Sequence, residues 1–379
     1  WHRAHTTWFF ETFVLEPHDP HWRAIEPAWR ELFNSYYNGV GKQYPRPQRG
    51  LISRPDVNEV RRYRVAVDQA IVELIERSSD DRWPELAATI RLGLNHEQQH
   101  QELIATDLKH GFAQNPLYPA WTACPSPGGQ PAEPLRWIWF DECIAEIGAD
   151  DDGRFCFDNE TPRHRQVVEA FELASRPVTC GEYLAFIDDG GYRNPELWLS
   201  DGWAWLQKTG ISAPLYWRND SERGWWLYTL GGPRSIDEHE TLAHISFHEA
   251  FAYAQWAGAR LPTEAEWELA AERAVEDGAP FAEDGRYHPA AVRPAPPDSP
   301  AALFGNVWEW TASSYAPYPG FEALPGAVGE YNGKFMVNQM VLRGGSCATP
   351  KAHVRATYRN FFYPTDRWQF SGVRLARRA

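Results

Sequence analysis

A proline-rich stretch divides this chain into two textures. Asn115 to Pro134 holds six prolines and a Gly-Gly pair. Before it, apolar residues recur at helical spacing; after it come short β-like runs, turns and tryptophan-rich loops. One continuous helical or sheet architecture cannot absorb that break. The expected organisation is a helical unit over residues 1–114, a linker over 115–136 and a differently built domain over 137–379.

Three helices are expected in the first part. Residues His5 to Leu15 form one, closed by Pro17. A second starts at Ser53-Arg-Pro-Asp56, which resembles a capping box, and shows Val57, Val60, Tyr63, Val67, Ile71 and Leu74. A third runs from Trp83 to Lys109, with Leu86, Ile90, Leu103, Ile104 and Leu108 at helical spacing. The sequence opens at Trp1 rather than Met, so a missing N-terminal piece is expected, and with it the fourth helix of a bundle.

The third helix carries His96-Glu97-Gln98-Gln99-His100. Residues i and i+4 lie one above the other on a helix face, so the two imidazoles can share a metal ion. The same five residues match H-E-x-x-H, which implies a zinc hydrolase with Glu97 as general base. Glu97 alone does not decide between hydrolysis and another metal chemistry. His5 shares a face with Trp8, Phe9, Thr12 and Leu15, a pattern that also suits a packed core histidine. In a bundle, however, inward side chains from neighbouring helices build metal sites. Arg46 and Arg49, three apart on a proline-stiffened loop, can grip a carboxylate. Tyr36-Tyr37 precede the turn signal Asn38-Gly39.

Composition narrows the function. A net charge of −14 with no basic run argues against nucleic-acid binding. No apolar run approaches the ~20 residues that span a bilayer. Five scattered cysteines without a C-x-x-C pair read as reduced thiols of a cytoplasmic protein. No G-x-G-x-x-G fingerprint calls for a dinucleotide.

Beyond the linker, the chain resembles the formylglycine-generating-enzyme-like (sulfatase-modifying-factor) domain. The resemblance rests on Asn159-Glu-Thr-Pro-Arg-His164, Arg176-Pro-Val-Thr179 with Glu182-Tyr183, and Gly258-Ala-Arg-Leu-Pro-Thr-Glu-Ala-Glu-Trp267. It continues in Gly305-Asn-Val-Trp-Glu-Trp310, Arg343-Gly-Gly-Ser346 and Gly372-Val-Arg-Leu375. It implies an α+β, C-type-lectin-like fold. After Arg-Gly-Gly-Ser only Cys347 is present, so the cysteine-pair chemistry of the true formylglycine-generating enzymes is not expected.

The first part, with His5-Thr-Thr-Trp-Phe-Phe-Glu11 and His96-Glu-Gln-Gln-His100-Gln-Glu102, resembles the DinB-like four-helix bundle of the ergothioneine-biosynthesis sulfoxide synthases. That resemblance implies Fe(II) held by His5, His96 and His100. It implies Arg46 and Arg49 on the carboxylate of the sulfur donor, and Gln99 and Asn360 in the pocket for hercynine (trimethylhistidine). The partners are then hercynine, a thiol and O2; a homo-oligomer is left open. Members that use γ-glutamylcysteine carry an Asp where this chain has Phe362, so bulk at Phe361 and Phe362 points to free cysteine as donor. Tyr36 and Tyr37 are the first candidates for the proton donor, with Tyr315 and Tyr318 as alternatives. A zinc hydrolase and a non-enzymatic binding module are the rival readings.

Overall fold

The computed structural model describes residues 1–125, 131–276 and 278–379. They form two compact units. The first comprises Trp1–His100, Asp151–Asn159 and Gly320–Phe335; the second comprises Gln101–Asp150, Glu160–Pro319 and Met336–Ala379. These units cut across the boundaries drawn from sequence texture, because two later segments join the first unit.

In the first unit, the N-terminal helix spans His2–Phe10 and continues as a π turn over Glu11–Leu15. It begins three residues earlier than His5, residues 11–15 are not α-helical, and a last α turn, Glu16–His18, carries it through Pro17 rather than ending there. Glu11, in the π turn, is buried and accepts from Tyr63 Oη at 2.5 Å and from the Ile25 amide at 3.1 Å. Those donors satisfy a carboxylate that burial alone would penalise. The second helix, Val57–Arg77, starts on a true capping box: Asp56 accepts from the amides of Asn58 and Glu59, and Glu59 returns a bond to the Asp56 amide. Tyr63, Val67 and Leu74 face inward as expected, but Val57 stands in solvent. The third helix spans Trp83–Gln114, five residues past Lys109. Gly93 lets it cross the first helix closely: a Cβ there would meet the Phe10 ring at 2.7 Å.

The later segments of this unit are loops and short 3-10 turns. Phe157 stacks on Tyr331 with centroids 5.6 Å apart, and Asn332 Nδ2 donates to Asp158 at 2.6 Å. Glu330 accepts from the amides of Asn38 (3.0 Å) and Gly39 (2.6 Å), which fixes the turn that follows Tyr36-Tyr37.

The second unit is α+β. One sheet has four strands in the order Asn360–Phe362, Met340–Arg343, Trp308–Ser314, Ser371–Gly372, the last pair parallel. Smaller sheets and short helices surround it. Two of these helices, Phe247–Trp256 and Glu264–Ala271, each start on their own capping box. Two further helices, Cys180–Asp188 and Ser200–Thr209, lie where β-like texture was read. The first of them carries the Thr179-x-x-Glu182 box, a legible start signal.

Three of the quoted motifs meet in the core of this unit. Arg374 donates to Glu309 at 2.8–3.0 Å, both side chains fully buried, and Trp267 Nε1 donates to the same carboxylate at 2.8 Å. Arg374 also reaches the carbonyls of Ala174 and Ala301. The glycines of Arg-Gly-Gly-Ser serve close approach: Gly344 has φ +100°, and a Cβ there would meet the Leu303 carbonyl oxygen at 2.5 Å.

The described part of the 115–136 stretch is docked rather than free. Tyr228 Oη donates to the Pro119 carbonyl at 2.6 Å, and the Trp121 amide donates to Leu230 O at 2.7 Å. Residues 126–130 of that stretch lie outside the described residues. The proline-rich run Ala279 to Pro300 buries His288 against Glu240 at 3.1 Å.

Candidate metal centre

His5 comes from the first helix of the first unit, and His96 and His100 from the third. All three are buried, at 0%, 1% and 8% exposure. One nitrogen of each lies within 4.8 Å of the others. The set contains no carboxylate.

The hydrogen bonding fixes which nitrogens are left over. His5 Nδ1 sits 2.6 Å from the Phe33 carbonyl oxygen and can only donate to it, so Nε2 keeps its lone pair. That Nε2 is buried without a hydrogen-bond partner among the described residues, as are both ring nitrogens of His96. His100 Nδ1 pairs with His2 Nδ1 at 2.8 Å. Buried nitrogens without partners are costly unless something absent from the chain binds them. Burial pushes all three imidazoles down: His96 to about 3, and His5 and His100 well below the usual histidine range, helped by their mutual proximity. At neutral pH the three rings are therefore uncharged, the form that binds a metal. A divalent transition ion fits this donor set.

Aromatic rings wall the site. His5 is stacked between Trp1 (4.5 Å) and Trp8 (5.6 Å). Phe9 and Tyr331 flank His96 at 4.8 and 5.7 Å. Tyr331 was missed by sequence reasoning, because nothing local marks a tyrosine more than 200 residues downstream as part of a helical unit. His2 was missed too, although its i, i+3 relation to His5 was readable.

The other candidates fall as follows. Tyr36 and Tyr37 lie side by side, centroids 4.6 Å apart. Tyr37 packs against Trp8 and Phe13, whereas Tyr36 faces Tyr331 and Phe335. Burial raises both phenols well above their ordinary range. Arg46 and Arg49 lie on a 3-10 turn, Arg46–Leu51, where i and i+3 share an edge. Their surroundings differ: Arg46 is exposed, and Arg49 lies 3.8 Å over the Trp1 ring and donates to Ser35 Oγ at 3.3 Å. Gln99 is half-buried on the third helix. Glu97 does not belong to the triad: both its oxygens bind Arg64, at 2.9 and 3.0 Å.

In the second unit, Asn360, Phe361 and Phe362 form one strand, paired with Leu342, Val341 and Met340. Asn360 Oδ1 accepts from the Phe361 amide at 2.9 Å. Successive side chains on a strand point to opposite faces. Phe361 stacks on Tyr315 at 4.0 Å, and Phe362 meets the edge of Trp368 at 5.1 Å. The expectation that both phenylalanines fill one pocket is therefore corrected; Asn360 and Phe362 share a face and Phe361 takes the other. Tyr318 is also committed elsewhere, accepting from Arg343 at 3.0 Å beneath the Arg359 guanidinium. No helix among the described residues is long and apolar enough to cross a membrane.

The family of the sulfatase-modifying factor enzyme 1-like domain matches residues 141–297 and 301–379. A hercynine oxygenase of Mycolicibacterium thermoresistibile is 34% identical over 99% of this chain and 86% of its own length. One from Mycobacterium tuberculosis is 33% identical over 99% of this chain and 90% of its own. A third, from Mycolicibacterium smegmatis, is 37% identical over 75% of this chain and 70% of its own.

Proposed function

The chain belongs to the hercynine oxygenase family, and on that premise we propose that it joins a cysteine thiol to imidazole C2 of hercynine and oxidises the sulfur, using iron(II) and O2, in ergothioneine biosynthesis. The observation that carries this reading is the buried, uncharged triad His5, His96 and His100, in which His5 Nε2 and both His96 ring nitrogens have no hydrogen-bond partner among the described residues.

The reaction balances without an external reductant. Joining C–H and S–H as C–S releases two electrons, and forming the sulfoxide releases two more. O2 accepts all four; one oxygen atom ends in the sulfoxide and the other leaves as water. Bound iron supplies the redox chemistry among thiol, imidazole and O2. The chain's residues do the rest. His5, His96 and His100 hold the metal with neutral nitrogens. Arg46 and Arg49 take the donor carboxylate, and Gln99 and Asn360 take hercynine. Tyr36 or Tyr37, held protonated by burial, gives a proton to reduced oxygen. In this reading the helical part, residues 1–114, holds the metal, and residues 137–379 form the formylglycine-generating-enzyme-like domain.

The zinc-hydrolase alternative needs Glu97 free to act on a metal-bound water, and Glu97 is occupied by Arg64. The deciding experiment is anaerobic loading of the metal-free protein with Fe(II), followed by hercynine, cysteine and O2. One sulfoxide formed per O2 consumed is the expected result. Peptide hydrolysis by zinc-loaded protein, or full turnover by His100→Ala, overturns it.

A further inference from the structure

Resting on the metal reading above, we propose that His2 is a positioning residue, which sets the tautomer and ring orientation of His100 through an Nδ1-to-Nδ1 hydrogen bond.

Each step follows from the hydrogen bonding. A neutral imidazole has one N–H and one lone pair. Of the two nitrogens of His100, Nδ1 is engaged with His2 Nδ1 at 2.8 Å, which leaves Nε2 for a metal. A ring that gives the Nε2 lone pair to a metal must carry its proton on Nδ1, and that N–H needs an acceptor. His2 Nδ1 is placed to be one. The same logic holds across the site at His5, where the Nδ1 acceptor is the Phe33 carbonyl, 2.6 Å away. The two rings thus receive the same support by different means, one from the main chain and one from a side chain. Such outer partners orient a ligand and raise its basicity.

The helix explains why His2 can do this. It begins at His2, and i, i+3 spacing puts His2 on the face that carries His5. The His2 and His100 rings are 5.1 Å apart and inclined at 55°, so they meet through nitrogen rather than by stacking. His2 is not counted among the ligands, because its Nδ1 is engaged with His100 Nδ1 and the clustered nitrogens are those of His5, His96 and His100.

The test is anaerobic titration of the metal-free full chain with cobalt(II), read by its visible absorption, with thermal unfolding of the metal-free form as the folding control. His2→Ala and His2→Phe should bind cobalt about 10–100-fold more weakly, at an unchanged metal-free melting temperature. His2→Asn, whose Oδ1 stands where Nδ1 stood, should recover most of the affinity. His2→Gln, which mimics the other ring nitrogen, should not. Wild-type affinity in His2→Ala or His2→Phe overturns the proposal. So does an Asn variant as weak as the Ala one, which would show that an acceptor at that position is not what supports the metal. His100→Ala separates the two levels. If it abolishes cobalt binding while the His2 variants bind normally, only the role of His2 falls. If it leaves binding intact, the metal reading itself has failed and the role of His2 falls with it.

Discussion

The carboxylate of Glu97 is gripped by Arg64 through both oxygens, at 2.9 and 3.0 Å, from the neighbouring helix. The residue that completes H-E-x-x-H is thereby a surface ion-pair partner, with about a quarter of each side chain exposed. Pairs of that kind contribute less than about 1 kcal/mol. Glu97→Gln should therefore keep metal content and lose no more than a few-fold of sulfoxide turnover. A thousand-fold loss, with metal still bound, would restore Glu97 as an acid–base group.

Tyr36 and Tyr37 differ in what surrounds them. Tyr36 faces Tyr331, which flanks His96, whereas Tyr37 is embedded against Trp8 and Phe13. Tyr36→Phe should lower turnover by roughly 10²-fold or more, the usual worth of a positioned acid. Tyr37→Phe should act mainly on thermal stability. Steady-state rates and melting curves of the two variants decide, and the reverse pattern would move the proton donor to Tyr37.

The two arginines should separate kinetically. Arg49 lies beside the triad and Arg46 in solvent. Losing a charge-assisted contact to the donor carboxylate costs roughly 1.5–3 kcal/mol. Arg49→Ala should raise the KM for the thiol about 10–100-fold and leave hercynine binding nearly unchanged. Arg46→Ala should do less. Equal weakening toward both substrates would remove Arg49 from the donor site.

Free cysteine should outcompete γ-glutamylcysteine. Phe362 packs on the edge of Trp368 and offers no counter-charge to a distal ammonium group. Presenting the two thiols at equal concentration measures the preference as a ratio of kcat/KM. Phe362→Asp should shift that ratio toward γ-glutamylcysteine. A wild-type preference for the longer thiol would reverse the donor assignment while leaving the proposed metal site untouched.

Lys109 gives a pH dependence. It is buried, 2.8 Å from His244 Nε2, and burial pushes its ammonium down to about 7. The unfolded chain holds this proton up to about 10.5. Between those values the unfolded state binds more protons, so folding stability rises with pH, by an amount on the order of a few kcal/mol. Lys109→Met should flatten that slope and stabilise the protein most at and below neutrality. Urea unfolding of both proteins at pH 7 and 9.5 measures it. Parallel profiles would show that Lys109 is not the group responsible.

Much of the candidate site was legible because helices have a period. The i, i+4 pair His96 and His100, and the apolar face around His5, could be read from spacing alone. What escaped reading is what spacing does not encode. Tyr331 reaches the first unit from a loop whose sequence carries no helical pattern. The helices Cys180–Asp188 and Ser200–Thr209 are only 9 and 10 residues long, too short for periodicity to stand out. The first could have been found by its capping box. The alternation of Phe361 and Phe362 followed from strand geometry once their segment was known to be a strand, but adjacent phenylalanines do not announce one.

The Glu309–Arg374 pair constrains the order in which the protein can form. The partners are 65 residues apart, and Glu309 leaves the ribosome first. Until Arg374 follows, the carboxylate has no counter-ion, and a buried charge stripped of its partner costs about 3–5 kcal/mol. Nascent chains stalled before Ser371 should therefore hold the Trp308–Ser314 strand open to protease. Chains released past Arg374 should protect it in one step, because the same guanidinium also closes on Ala174 and Ala301. Protection of the strand in the shorter chains would refute this ordering. Such late closure makes the second unit a slow, high-contact-order element of synthesis.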